Sequence, residues 1–439
     1  MSTRDDSSMM SSAHPAMPPE QWPDTGKYQF TVRHIFLGAA FLLLLLAVVI
    51  PNSLPIPTGA AMGLAFLLAL PGLRIGPGFR NLLALYVCTV IVTISYMIVG
   101  SMHDAPLVAQ AQVLAIYILS PLLWMIIADG LRRRLGIDRL IDWFIVLSLL
   151  CALSVALFFY LYLTRGAAAV AFFFQGANVN LEEGFSGATM HVYASLIFLS
   201  GGFFSSPELI KSRLLRLVLL AALLVCALTS GRSALIIAIP IGWFLGLLLA
   251  SRTTGYRGKS ALTRVIRYGL PSLVAVLAAL FLLQAYTKIS VYTVLDSVST
   301  KLAAGGGSAR VHMANSLYAG ILDNGGLGSG HGVGVGFVSD PVYPWRYELV
   351  WLATLYRVGL LGTLIYALPF LLYIARVIRL ALGHRLPPRH KFLFCGFVCA
   401  FLGTNTNPYI EAFALQWMYV IPLVALFIEY PVSLRKAPE

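Results

Sequence analysis

Residues 141–163 read IDWFIVLSLLCALSVALFFYLYL, and after Asp142 no charge interrupts the run. A helix rises about 1.5 Å per residue, so a stretch of this length crosses a hydrocarbon layer of about 30 Å. The same solvent preference runs through the whole chain. Of its 439 residues 59% are hydrophobic and 11% charged, where a soluble domain carries about 25% charged residues. Further apolar runs place helices near 35–50, 54–71, 81–101, 107–128, 188–204, 214–229, 233–250, 268–286, 347–375, 392–404 and 411–430. In lipid a spanning segment must satisfy its own backbone groups, which leaves helices or closed barrels, and runs this long argue helices. The expected fold is therefore an all-α membrane protein with about twelve transmembrane helices.

Charge sets the expected orientation. The net charge of +13 would suggest nucleic acid in a soluble protein. Here the cytoplasmic bias of Lys and Arg accounts for it, and no nucleic-acid partner is expected. With the N-terminus inside, the cytoplasmic segments collect 24 of the 31 basic residues. Among them are Arg132, Arg133, Arg134 and Arg139, then Arg252, Arg257, Lys259, Arg264 and Arg267, then Arg376, Arg379, Arg385, Arg389 and Lys391. Residues 1–33 are polar and rich in Ser, Pro and Met, without a cleaved-signal pattern, and read as a disordered cytoplasmic tail. Helices one to nine fill 34–286, a large external loop fills 287–346, helices ten to twelve fill 347–430, and 431–439 form a second cytoplasmic tail. The five cysteines fall inside apolar runs and read as buried apolar residues, with neither disulfide nor metal-ligand spacing.

The long loop is rich in turns. It carries Gly305-Gly306-Gly307, Gly325-Gly326 and the run Gly328-Ser329-Gly330-His331-Gly332-Val333-Gly334, with aromatic anchors Tyr343, Trp345 and Tyr347. Loops this long are functional or disordered, and an ordered, turn-rich lid on the helix ends is expected.

Three sites on the external side stand out, each beside a blander reading. Arg232, in Thr229-Ser230-Gly231-Arg232-Ser233, sits in the hinge between the seventh and eighth helices. It is an interfacial anchor or a phosphate ligand, since guanidinium presents a planar fork to phosphoryl oxygens. Arg310, in Gly307-Ser308-Ala309-Arg310 of the large loop, reads on its own as solvated surface. Glu348, in Tyr347-Glu348-Leu349-Val350-Trp351, either favours the helix start through its dipole or acts as a base.

Taken in order, Thr229–Leu235, the Arg310 segment, the Gly326–Gly336 run and Glu348…Gly359-Leu360-Leu361-Gly362 resemble the O-antigen polymerase and ligase superfamily of membrane glycosyltransferases. The resemblance covers roughly residues 180–430. It implies a bacterial inner-membrane enzyme working on the periplasmic face, whose donor and acceptor are glycans on undecaprenyl pyrophosphate. Arg232 and Arg310 match the family's hinge and loop arginines, which implies that they hold the pyrophosphate as it leaves. Fixed cations serve a developing negative charge without a metal, and no metal or other cofactor is expected. Ligases of the superfamily carry His, then Asn, Ser or Gln, then nine residues, then Gly-x-x-Gly. Here the frame reads Glu348-Leu349, the nine residues Val350 to Val358, then Gly359-Leu360-Leu361-Gly362. Glu in the place of His favours the polymerase branch, with Glu348 as the base for the acceptor hydroxyl and inversion in one displacement.

Lesser candidates surround this set. Arg357 lies nine residues beyond Glu348 within a span, where a charge is a functional candidate by default, although pairing inside the bundle is the alternative. The turn Thr404-Asn405-Thr406-Asn407-Pro408-Tyr409-Ile410-Glu411 offers Asn405, Asn407 and Tyr409 to a sugar, or is a plain turn. Arg165 and His191, with Glu182 and Glu183, are candidates for an acceptor groove, and His312 and His331 are alternative bases. Gly359 and Gly362 suit close helix packing. Three readings remain: a polymerase with a possible chain-length regulator as partner, a ligase acting on lipid A–core, and a transporter. Transporter sites lie at mid-bilayer, whereas these polar residues cluster at one face, Arg357 excepted.

Overall fold

The computed structural model describes residues 28–170, 178–179, 188–230, 233–250, 252–253, 307–338 and 340–431, with single positions between 263 and 292. The protein is an α-helical membrane protein. Its helices are α1 (Tyr28–Val49), α2 (Pro55–Ala69), α3 (Pro77–Met102) and α4 (Leu107–Arg134, through a π segment at Leu114–Leu119). There follow α5 (Ile137–Arg165), α6 (Val192–Ser205), α7 (Arg213–Thr229) and α8 (Ser233–Ala250). The chain ends in α9 (Gly307–Asp323), α10 (Val350–Leu382), α11 (Pro388–Gly403) and α12 (Trp417–Glu429). Among the described residues, seven helical segments are long and apolar enough to cross a membrane: those built on α1 to α5, α8 and α10. The ninth expected helix, 268–286, falls outside the described residues except at Leu270, Val274, Ala278 and Phe281, which are helical and exposed.

Local chemistry explains the boundaries. Pro55, Pro77 and Pro388 open α2, α3 and α11, where the missing N–H costs nothing. The Ser212 hydroxyl caps α7 by accepting from Leu215 N. Arg132, Arg133 and Arg134 close α4, at the carbonyl end that favours cations. Lipid-facing surfaces are apolar, as at Ile91, Ile94 and Ile98 on α3 and Leu360, Leu361 and Leu364 on α10, all exposed. The core gathers Phe144, Phe198, Phe392 and Trp417 from α5, α6, α11 and α12. Cys151, Cys226, Cys395 and Cys399 are buried as expected, but Cys88 is exposed on α3.

Two features of the long loop depart from the sequence reading. Its first described part is not turn-rich but helical, the 17-residue α9. Met313 and Leu317, one turn apart, are buried against Tyr347, Ala353 and Tyr356 and hold it to α10. After α9 the glycine run inserts between α3 and α10. Ser329 N donates to Tyr356 O at 2.8 Å, Gly330 N to Arg357 O at 2.9 Å and His331 N to Tyr96 O at 2.8 Å. Leu360 N returns a bond to Gly326 O at 3.1 Å. The bonds to Tyr356 O and Arg357 O and the one from Leu360 N serve backbone groups freed by a break in α10 at Gly359, whose φ is 64° and ψ −175°, and the bond to Tyr96 O ties the run to α3. Non-helical backbone is tolerated at such a place because protein, not lipid, surrounds it. Gly359 therefore does more than let helices pack closely: it breaks one. Gly362 is the plain packing position, facing Val92 of α3.

The insertion depends on missing side chains. Gly330 has φ +94°, and a Cβ there would lie 2.2 Å from Gly100 N. Gly330→Ala is expected to destabilise the protein by more than about 2 kcal/mol, combining a left-handed backbone with a clash against another backbone. Gly336, with nothing within 4 Å of its Cβ position, should accept Ala within about 0.5 kcal/mol. Thermal melting of the two purified variants in detergent checks the contrast, and equal melting points would refute it.

Candidate functional site

Arg310 stands in the first turn of α9 and reaches two distant segments. Its Nε donates to Glu348 Oε2 at 2.9 Å, and its Nη2 donates to the Thr406 carbonyl at 3.1 Å. Two residues singled out by sequence thus meet directly, across 38 positions, beside the polar turn singled out with them. The Arg310 side chain is 23% exposed and that of Glu348 39%, so both are within reach of a ligand from water. Glu348 lies two residues before α10, and no side chain caps that helix. Its carboxylate goes to Arg310.

The turn is built to present its backbone. Thr406 Oγ1 donates to Gly403 O at 3.0 Å, and Asn407 Nδ2 donates to Thr406 Oγ1 at 3.1 Å. The hydroxyls of Thr404 and Tyr419 hydrogen-bond below. Asn405 is exposed, while Asn407 and Tyr409 are buried. Of the three sugar-binding candidates, only Asn405 offers its side chain to solvent in this arrangement.

Arg357 sits behind this layer, and both of its terminal nitrogens are engaged. Nη1 pairs with Glu411 Oε1 at 2.5 Å, and Nη2 donates to Trp345 O at 2.7 Å. Tyr117 OH donates to the same Glu411 oxygen at 2.6 Å, and the Tyr347 ring lies 5.8 Å from the guanidinium carbon. The side chains of Arg357 and Glu411 are 5% and 10% exposed. Arg357 thereby ties the Trp345–Glu348 segment to the turn that supplies Thr406. Sequence reasoning quoted Glu411 within the turn but did not select it. The available signal was an acid flanked by apolar residues, opposite a buried Arg in need of a partner.

The remaining candidates are spread out. Arg165 ends α5 and His191 precedes α6, both exposed, and His312 is exposed on α9. His331 is 1% exposed within the inserted loop, its Nε2 3.1 Å from Tyr366 OH and its ring 5.1 Å from that of Tyr117. Burial and the nearby Arg357 guanidinium push its pKa down to about 3, so it is neutral at neutral pH. Arg232, Glu182 and Glu183 lie outside the described residues, although α7 and α8 do flank the Arg232 hinge.

A cavity of about 150 Å³ opens between α3, α4, α10 and α12, with Val350 and Trp351 at the start of α10 among its lining residues. Tyr86, Tyr117, Trp351, Phe370, Tyr419 and Leu423 are among its walls, which are almost wholly apolar. The arrangement offers a partly exposed cation and a partly exposed carboxylate, with an apolar chamber inside the bundle that begins at Val350 and Trp351. The opposite end of the molecule carries structural ion pairs instead, Asp129 with Arg132 and Arg133, and Lys391 with Glu208. Compared with known protein families, with curated proteins and with solved structures, the chain matches none.

Proposed function

We propose that the protein is a polysaccharide polymerase of the bacterial inner membrane, moving a glycan from undecaprenyl pyrophosphate onto a lipid-linked repeat unit. The observation that carries this reading is the meeting of Arg310 with Glu348, a cation for a departing pyrophosphate beside a base for an incoming hydroxyl. In the reaction Glu348 accepts the proton of the acceptor hydroxyl as its oxygen attacks the anomeric carbon. The bond from that carbon to the pyrophosphate oxygen breaks, and the configuration inverts. Undecaprenyl pyrophosphate leaves with the bonding electrons, its charge met by Arg310 and Arg232. The first turn of α9 adds a helix dipole that favours an anion. The apolar cavity suits the first units of the prenyl chain, since such a lipid presents its head and its tail to adjoining regions.

In this reading the chain spans the membrane about twelve times with both termini in the cytoplasm, and residues 287–346 face the periplasm. A chain-length regulator is a natural partner. A ligase that uses lipid A–core as acceptor shares the donor chemistry, but Glu stands where ligases carry His. The transport reading draws on the twelve expected spans and on Arg357, whose guanidinium pairs with Glu411; that pairing favours a structural role for Arg357.

Arg310→Ala is expected to lower polymer formation by about a hundredfold, the usual cost of one transition-state donor, while the protein still inserts and accumulates. Arg232→Ala should act likewise, and Lys should rescue either poorly because it lacks the planar fork. Purified protein with lipid-linked repeats provides the assay. Undiminished polymer from the Arg310 variant at normal protein level would remove it from the mechanism, and transfer to lipid A–core alone would make the protein a ligase.

A further inference from the structure

Arg310 and Glu348 are each engaged by the other, yet the proposed reaction needs both elsewhere. Arg310 must face the pyrophosphate of the donor, and Glu348 must face the hydroxyl of the acceptor. We propose that the donor itself opens the pair: its pyrophosphate displaces Glu348 from Arg310, and the carboxylate so released becomes the acceptor's base. Donor binding thereby arms the site, and the order of events is donor first, deprotonation second. The inference rests on the functional reading above and adds this order to it.

The geometry of the contact favours exchange. Among the described residues the Glu348 carboxylate takes one hydrogen bond, from Nε, while Nη2 is committed to Thr406 O. This is a single-point contact rather than the bidentate fork that makes Arg–carboxylate pairs strong. A pyrophosphate brings more charge and more acceptor oxygens to the same guanidinium. Thr406 O keeps its bond meanwhile, so Arg310 stays in position while its partner changes. Exposure points the same way. The side chains are 23% and 39% exposed, and a pair so close to water contributes little that must be given up. The neighbouring Arg357–Glu411 pair, 5% and 10% exposed, has no such access and stays closed. Position adds a third reason. Arg310 is in the first turn of α9, where a helix favours an anion, and Glu348 is the anion that stands there before the donor does.

The test is equilibrium binding of inorganic pyrophosphate to the purified full-length protein in detergent at fixed ionic strength. Wild type, Glu348→Gln, Glu348→Ala, Arg310→Ala and the Arg310→Ala/Glu348→Ala double variant are compared, each checked by thermal melting. Freed from competition, both Glu348 variants should bind about two- to fivefold tighter than wild type, the range that a solvent-accessible pair is worth. Ala should bind at least as tightly as Gln, whose amide oxygen still accepts from Nε. In the Arg310→Ala background the gain should vanish, as a double-mutant cycle requires of a direct interaction. A gain of the same size without Arg310 would mean simple charge repulsion and overturn the exchange. Arg310-dependent binding that is equal or weaker in both Glu348 variants would also overturn it, while leaving the proposed function standing. Binding indifferent to Arg310 throughout would overturn the exchange and the donor site together.

Discussion

Arg357→Ala is expected to destabilise the protein by about 3–5 kcal/mol, the cost of leaving one member of a buried ion pair without its partner. Glu411 is 10% exposed and is held at 2.5 Å by the Arg357 guanidinium. Once Arg357 is gone, Tyr117 OH is the partner left to that carboxylate among those described for it. The Trp345 carbonyl loses its donor as well, and the segment leading to Glu348 comes loose from the turn carrying Thr406. The measurements are accumulation in membranes and the melting temperature in detergent. Arg357→Lys should recover little, because one ammonium on a flexible stem cannot span Glu411 and Trp345 as the fork does. Replacing both partners by apolar residues, Arg357→Met with Glu411→Leu, should restore much of the stability, since an isosteric apolar pair is often neutral. That double variant separates fold from function. If Arg357 serves to hold Trp345 and Thr406 in register, the double variant melts near wild type but makes less polymer. Wild-type melting in Arg357→Ala itself would show that the pair contributes nothing to the fold.

What the sequence made legible follows from its solvent. Lipid demands uninterrupted apolar runs, so the run at 141–163 and its neighbours announced their helices, and α5 covers it with a few residues to spare at each end. The helix α9 was hidden for the opposite reason. Gly307-Ser308-Ala309-Arg310 and the glycines after Asp323 read as turns, and the signal that overrides them is the short spacing of Met313 and Leu317, the two residues buried on it. The glycine run was visible, but its use was not. Gly330 is glycine because of Gly100, and Gly359 because of Leu327, pairings that exist only once the chain has folded. The site divides along the same line. Motif order selected Arg310, Glu348 and the turn at 404–411, since each needed only its own neighbours to be noticed. Glu411 escaped because its meaning is the partner it neutralises, Arg357, 54 positions earlier. His331 was offered as a base on residue type alone, and its burial to 1% exposure comes from the fold that packs the glycine run between α3 and α10.

Glu348→Gln should lower polymer formation by about 10²–10⁴-fold, the usual loss when a general base is removed. The substitution keeps the size of the side chain and leaves an oxygen that can accept from Arg310 Nε, now at 2.9 Å from the carboxylate. Folding and donor retention should survive it, and proton acceptance should not. Long polymer should therefore disappear while lipid-linked single repeats accumulate. Glu348→Asp, with a carboxylate one methylene shorter, should retain part of the rate. The competing account makes Glu348 a charge at the start of α10, worth about 0.3–1 kcal/mol through the helix dipole. That effect would show as a small shift in melting temperature and a near-normal rate. Geometry weighs against it, because the carboxylate turns to Arg310 and α10 has no side-chain cap. Turnover of purified protein on lipid-linked repeats separates the accounts. A Gln variant working at the wild-type rate would reduce Glu348 to a partner of Arg310, and the base would have to be sought elsewhere on the same face. His312 is the exposed candidate there, two residues beyond Arg310 on α9. A Gln variant that holds donor but transfers nothing would fix Glu348 as the group that takes the proton.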